Sequence, residues 1–167
     1  MILELTGQIH LEVIGPDGQL KDTRDTQNLV VDAGREHFAA RMQRTIVPPH
    51  VAIMEYIAVG TSGTAAAAGN TTLVAEALPA AIGARAIMVA PYPTVGGVPP
   101  VQILYRSIFV AGTIAVAWPI SLQEAGIFNE VSAIVGGEML ARGTFTAVPV
   151  DVGDTLTVDW VINVNAP

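Results

Sequence analysis

The stretch LELTGQIHLEV, residues 3–13, decides the fold class, because apolar and polar side chains alternate along it. Leu5, Ile9 and Leu11 lie on one face of an extended chain, and polar side chains lie on the other. A period of two is typical of a β-strand that buries one face and exposes the other. The sequence therefore begins with a half-buried strand.

A tight turn follows this strand. The motif GPDG at residues 15–18 combines a proline, which presets φ, with glycines, which tolerate positive φ. Residues 19–31 return as a second extended segment, so residues 1–31 are predicted to form an N-terminal β-hairpin. Residues 155–164 alternate in the same way and predict another half-buried strand.

One helix is predicted over residues 32–46. Asp32 is a suitable N-cap, and Phe38 and Met42 are four residues apart, which places them on one helix face. The helix is expected to end before the motif VPP at residues 47–49, because proline disfavours helical geometry in the residue ahead of it.

The remaining pattern favours a mainly β protein. Seven or eight short strands separated by turn signals, with a single helix near the N-terminal third, suit an antiparallel β-sandwich or jelly roll better than a parallel α/β fold. We predict one domain, with its main body over residues 51–167. Residues 91–100 contain four prolines and two glycines, which predicts a long connection or arm.

Composition limits the possible partners. The chain is 51% hydrophobic and 14% charged, whereas soluble domains usually have about 25% charged residues. No apolar run approaches the roughly 18 residues of a membrane span, so we expect no membrane insertion and infer that other protein chains cover the apolar surface. This predicts a homo-oligomer.

Nucleic-acid binding is not expected, because the net charge is −7 and phosphate neutralisation needs clustered lysine and arginine. Arg35, Arg41 and Arg44 form one basic cluster, which we interpret as a solvated or partner-facing side of the helix. The chain has no cysteine, so disulfides and thiolate metal sites are excluded.

The sequence shows no convincing constellation for catalysis. Ser62 lies in a glycine-containing turn rather than in a nucleophile elbow, and the three histidines lack metal-ligand spacing. Asp151, Asp154 and Asp159 lack the dense ligand spacing of a calcium loop, and Asp154 is interpreted as a turn residue ahead of a strand. We predict no catalytic residue, no bound metal and no cofactor.

The segment SLQEAGIFN, residues 121–129, carries one glutamate, Glu124, among apolar and small residues. A buried ionised carboxylate is costly unless backbone N–H groups or an arginine hold it. We predict that Glu124 is a structural latch that fixes a turn between two strands. Arg106 and Arg142 are its candidate partners, and Gly126 would permit the bend.

Five motifs in one order give the chain a resemblance to a known class of proteins. They are YIAVGT (residues 56–61), TLVAE (72–76), EAGIFN (124–129), GEMLAR (137–142) and DTLTVDW (154–160). Together they resemble a recurring class of tailed-bacteriophage virion proteins. In that pattern an arginine closely follows the second motif, whereas here the sequence ALP (residues 77–79) follows Glu76 and the next arginine is Arg85.

The resemblance implies a small β-rich module of a virus particle, either a capsid cement (decoration) protein or a tail or fibre component. We expect a non-enzymatic cement protein, made in the host cytoplasm and bound to the outer surface of the capsid. Its partners would be the major capsid protein and copies of itself. A tail, baseplate or fibre component is the alternative.

A carbohydrate-binding or glycan-active sandwich is a third interpretation. The chain has only two tryptophans and three tyrosines, and both Trp118 and Trp160 are expected at core-facing positions, so few aromatic side chains remain for a sugar.

Two segments are candidate assembly contacts. One is the proline-rich arm, with Pro91, Tyr92, Pro93, Pro99 and Pro100, and the other is the alanine-rich loop at residues 64–70. Either segment is alternatively a mobile loop without a partner.

Overall fold

The computed structural model describes residues 4–42, 52–77, 85–96, 101–110, 119–132 and 137–165. In chain order the elements are β1 (Glu4–Ile14), β2 (Leu20–Val30), α1 (Asp32–Met42), β3 (Tyr56–Gly60), β4 (Ala86–Ile87), β5 (Thr94–Gly96), β6 (Val101–Val110), β7 (Ile120–Phe128), β8 (Met139–Val150) and β9 (Thr155–Asn165). The prediction of a mainly β fold with one short helix is confirmed.

The strands form one antiparallel sheet in the order β4-β3-β7-β8-β2-β1-β9-β6-β5. The β2–β8 ladder is short, with residues 28–30 of β2 opposite residues 141–143 of β8. The sheet curls until its ends meet, where the Val89 N–H donates to the Arg106 carbonyl (2.9 Å) and the Ser107 hydroxyl donates to the Ala86 carbonyl (3.3 Å). This arrangement is sandwich-like.

One main hydrophobic core lies inside the curled sheet. The alternating residues of β1 supply Ile9, Leu11 and Val13, and those of β9 supply Leu156, Val158, Trp160 and Ile162. Because successive side chains of a strand point to opposite faces, these residues are buried while their polar neighbours face outward. The expectation that Trp160 is core-facing is confirmed, since its side chain is fully buried.

Helix α1 begins at Asp32, as predicted, and the Asp32 carboxylate accepts a hydrogen bond from the Arg35 guanidinium (3.0 Å). Phe38 packs against the main core. Gly34 lies so close to β8 that a Cβ atom there would collide with the Leu140 carbonyl oxygen. The helix is described to Met42, and the predicted residues 43–46 lie outside the described residues.

A second, smaller core cluster lies on the other face of β3, β7 and β8. It comprises Val31, Ala58, Leu73, Phe128 and Met139. Leu73 belongs to the loop at residues 61–77, which therefore covers this face of the sheet. Within the described part of the chain, the loop returns to β3 through a single bridge between Gly60 and Glu76.

The predicted long connection or arm over residues 91–100 is described to residue 96, and it contains a short strand that the prediction lacked. Residues Thr94–Gly96 form strand β5, which pairs with β6 through Thr94 opposite Leu104 and Val95 opposite Ile103. The hydrogen bonds of β6 extend this segment despite its glycine. Pro99, Pro100 and Trp118 lie outside the described residues.

Candidate functional site

Glu124 and Arg142 form an ion pair in the interior. The Arg142 Nη2 atom lies 2.7 Å from Glu124 Oε2, and Nε donates to the same oxygen at 2.9 Å. Both side chains are 0% exposed. Two backbone N–H groups complete the set, from Val74 (3.1 Å to Oε2) and Ala75 (2.7 Å to Oε1). Four donated hydrogen bonds therefore compensate the desolvation of the carboxylate.

The remaining N–H groups of Arg142 donate hydrogen bonds to the loop at residues 61–77. Its Nη1 atom donates to the Ala65 carbonyl (3.2 Å) and to Asn70 Oδ1 (3.0 Å), and Nη2 donates to the Thr64 carbonyl (2.8 Å). Asn70 Oδ1 also accepts from the Ala67 N–H (2.8 Å). The ion pair thus holds both the first and the last part of this loop against the sheet.

The sequence prediction was right about one partner of Glu124 and wrong about its setting. Residues Ile120–Phe128 form strand β7, so Glu124 lies within a strand and not at a turn. Gly126 does not permit a bend. Instead, a Cβ atom there would lie 2.9 Å from the Phe128 ring and 3.0 Å from Leu73, so the glycine makes room for the loop.

Arg106 is not a partner of Glu124. It lies on β6, opposite Asp159 of β9, and donates to both carboxylate oxygens of Asp159 at 2.5 and 2.7 Å. The sheet order separates β6 from β7, so its guanidinium belongs to a different, half-exposed face. There it also stacks over the Tyr92 ring, 5.5 Å from the centroid.

A second buried ion pair, between Glu76 and Arg85, was not predicted. Arg85 binds both oxygens of Glu76, with Nε at 2.9 Å and Nη2 at 3.2 Å, and the side chains are 9% and 1% exposed. The guanidinium carbon also lies 3.4 Å above the Phe128 ring centroid. The only signal in the sequence was that Arg85 is the first arginine after Glu76.

The predicted turn residues at the β8–β9 connection contact the only lysine of the chain. Lys21 Nζ lies 2.6 Å from Asp154 and 2.9 Å from Asp151. Asp154 is buried and accepts the Asp151 N–H at 2.8 Å. Burial alone would raise the pKa of Asp154, but the Lys21 ammonium and the Asp151 N–H outweigh it and hold that pKa below its ordinary value.

Of the histidines, His37 of α1 is buried, and its Nδ1 atom lies 2.8 Å from a carboxylate oxygen of Glu138. His10 lies on the outer face of β1 and contacts Asp25. His50 is outside the described residues. Among those that are described, no group of three or more His, Cys, Asp or Glu side chains is placed to hold a metal ion.

An apolar pocket of about 260 Å³ lies where α1 meets β5 and β6. Its lining includes His37, Phe38 and Arg41 from α1, Val95 from β5, Ile103 and Tyr105 from β6, and Ile53, Met54, Pro93 and Leu140. The lining includes two basic side chains, His37 and Arg41. Burial raises the pKa of Tyr105, and the Arg41 charge opposes that rise only in part.

Large apolar side chains remain exposed around this pocket. Val95 is opposite Ile103, so the two side chains share one face of the sheet, and Ile103 packs against the core. Val95 is nevertheless 72% exposed, Ile53 is 48% exposed and Val101 is 42% exposed. We call the pocket together with Ile53, Val95 and Val101 the pocket-end surface.

The predicted arm contributes to this region in part. Pro93 lines the pocket, Pro91 is exposed, and Tyr92 packs against the main core and against Arg106. Arg142 holds the alanine-rich loop on the sheet, and the role of this loop as an assembly contact stays a prediction. Arg35 pairs with Asp32, Arg41 lies at the pocket, and Arg44 is outside the described residues.

No family model, no curated protein and no solved structure matches the chain. Within the described residues, no helix is long and apolar enough to cross a membrane.

Proposed function

We propose that this protein is a non-enzymatic structural protein of a tailed-bacteriophage particle. In this role it is a capsid cement (decoration) protein, bound as a homo-oligomer to the outer face of the major capsid lattice. Subunits would bridge neighbouring capsomers and resist the internal pressure of packaged DNA. The resemblance of the five sequence motifs supports the virion assignment. The low content of charged residues supports a subunit that buries surface against other chains in an assembly.

The pocket-end surface is the observation that carries a contact role. Val95 belongs to the core side of the sheet and is still 72% exposed. Exposed apolar patches of this kind mark interaction sites, because they are costly to leave in water. The site also has the concave shape into which a partner's side chain can pack.

The buried charges support a structural role as well. Glu124 is enclosed by four donors and is 0% exposed, so its carboxylate holds a loop and is out of reach of a substrate. Arg85 is likewise buried in an ion pair with Glu76. These groups stiffen the module.

Stripped particles provide the test. Particles that assemble without this protein should release their DNA at a lower temperature than complete particles, and added wild-type protein should restore the difference. Val95→Asp should bind and protect poorly, since it places a charge in the contact. Val74→Asp is the matched control, because Val74 is 55% exposed on the loop at residues 61–77. Stripped particles as robust as complete ones would contradict a cement role.

Copy number separates this proposal from a tail, baseplate or fibre component, to which the same sequence resemblance extends. A cement protein covers a whole lattice and is present in hundreds of copies, whereas a tail part is present in far fewer. The ratio of its band to that of the major capsid protein, on a gel of purified particles, distinguishes the two.

A further inference from the structure

A second apolar patch lies at the opposite end of the molecule. Leu20 and Val110 are both 56% exposed, and Val152 is 69% exposed. Leu20, Ile14, Thr155 and Val110 are successive register partners across β2, β1, β9 and β6, and Val152 lies in the turn just before β9. We call Leu20, Val110 and Val152 the turn-end surface.

The two surfaces are far apart. Ile103 at the pocket and Val110 at the turn end are seven positions apart on β6, which is about 23 Å at the usual strand rise of about 3.3 Å per residue. A single chain therefore cannot cover one patch with the other. Two copies placed end to end can.

The turn that carries Val152 is held in one conformation. Asp154 accepts the Asp151 N–H at 2.8 Å and the Lys21 ammonium at 2.6 Å, and the Asp154 N–H donates to the Asp151 carbonyl at 3.1 Å. Gly153 has φ +90° and lies beside Pro16 of the neighbouring turn. Val152 is thus a protruding apolar side chain on a pre-organised turn, which lowers the entropy cost of docking.

The shapes and charges of the two ends are complementary. The pocket of about 260 Å³ exceeds the roughly 150 Å³ cavity that accommodates a benzene molecule, so a valine side chain fits. Asp151 is 55% exposed beside Val152, and Asp151 and Asp154 share the single ammonium of Lys21, so the turn keeps one negative charge in excess. In the pocket lining His37 is already hydrogen-bonded to Glu138, so Arg41 supplies the positive charge there. Insertion of the turn brings the excess negative charge towards Arg41.

We infer that copies of this chain associate head to tail, with the turn-end surface of one copy docked on the pocket-end surface of the next and Val152 in the pocket. This inference rests on the proposed function, since it names the partner of the pocket-end surface. The contact is heterologous, so the assembly closes into a ring or extends as a chain. A stable contact needs about 500 Å² from each copy, which requires the flanking residues Leu20 and Ile53 as well.

Sedimentation of the wild-type protein over a wide range of concentrations is the first measurement. We expect oligomers larger than a dimer, and we expect Val95→Asp and Val152→Asp each to be monomeric. Val74→Asp, an equally drastic change at an exposed valine of the 61–77 loop, should assemble like the wild type. Circular dichroism shows that each variant is folded.

Mixing the two monomeric variants gives the decisive result. Val95→Asp keeps an intact turn end, and Val152→Asp keeps an intact pocket end, so together they should form a one-to-one heterodimer that grows no further. A two-fold contact between pocket ends predicts instead that Val152→Asp assembles normally and that mixing rescues nothing, which would overturn the inference.

A wild-type protein that stays monomeric at all concentrations would also overturn it. That outcome is distinguishable from failure of the proposed function, because protection of stripped particles by the wild-type protein is measured separately and does not require that copies associate in solution.

Discussion

Glu124 of β7 and Arg142 of β8 form an ion pair with both side chains 0% exposed and 2.7 Å between Oε2 and Nη2. Through Val74 and Ala75 on one side, and Thr64 and Ala65 on the other, the pair fixes the loop at residues 61–77 to the sheet. The loop in turn places Leu73 over Phe128 and Met139.

Glu124→Gln should destabilise the fold by about 3–5 kcal/mol, because it leaves the Arg142 charge buried without compensation. Denaturant unfolding measures the loss. Amide exchange at Val74 and Ala75 should become faster than in the wild type, since those N–H groups lose an ionised acceptor.

Asp159→Asn provides the matched control for that variant. It removes the partner of Arg106, but this pair is 41% and 25% exposed, so the expected loss is only up to about 1 kcal/mol. Equal losses for the two variants would refute the latch.

Gly34→Ala should destabilise the protein, although alanine is the better helix former by about 1 kcal/mol. The added Cβ would meet the Leu140 carbonyl oxygen at the α1–β8 contact, and overpacking of this kind costs about 1–3 kcal/mol. Thermal unfolding measures the change. Gly69→Ala is the control, because a Cβ at Gly69 meets nothing within 4 Å; a stabilised Gly34→Ala would show that the helix is not in close contact.

The free energy of unfolding should fall as the pH rises from 6.5 through the folded-state pKa of His10, and His10 should account for part of this fall. The hydrogen bond to Asp25 raises the pKa of His10 above its ordinary 6.5, partial burial opposes the rise, and Glu12 adds to it. Because the folded-state pKa is the higher one, the stabilisation is complete below pH 6.5 and is lost as the pH rises through the folded-state value.

The denaturation midpoint against pH tests this. His10→Gln should flatten the profile in that window. Asp159 and Arg106, which follow His10 across the face, pair with each other. An unchanged slope in His10→Gln would assign the pH dependence to another group.

Asp154→Asn should reduce stability at neutral pH and make the protein less sensitive to acid. The pKa of Asp154 is held below its ordinary 3.8, so its stabilising effect is present above pH 3.8 and is lost as the pH falls through the folded-state value. Acid titration followed by circular dichroism measures the effect. Asp151→Asn, at a carboxylate that is 55% exposed, should change the acid transition less.

Local patterns were sufficient for the strands with regular alternation, β1 and β9. The alternation in β1 and β9 predicts their buried faces because side chains of a strand point to opposite sides whatever lies beside it. The start of α1 at Asp32 was likewise predictable from a local signal, since an acidic residue is favourable in the first turn of a helix.

The partners of the charged residues required more than local patterns. Arg106 and Arg142 are both arginines on strands, and their sequence context does not distinguish them. The sheet order does, because β8 lies beside β7 whereas β6 lies beside β9. The pairing of Glu76 with Arg85 similarly depends on a loop returning to β3.

The sequence by itself determined that the protein is mainly β, has a helix after an N-terminal hairpin and has only 14% charged residues, because these properties follow from periodicity and composition. Only the tertiary structure decided which arginine neutralises Glu124, that β5 extends the sheet, and that Val95 is exposed at one end of the molecule and Val152 at the other. Those features arise from strand order and register, which bring together residues far apart in the chain.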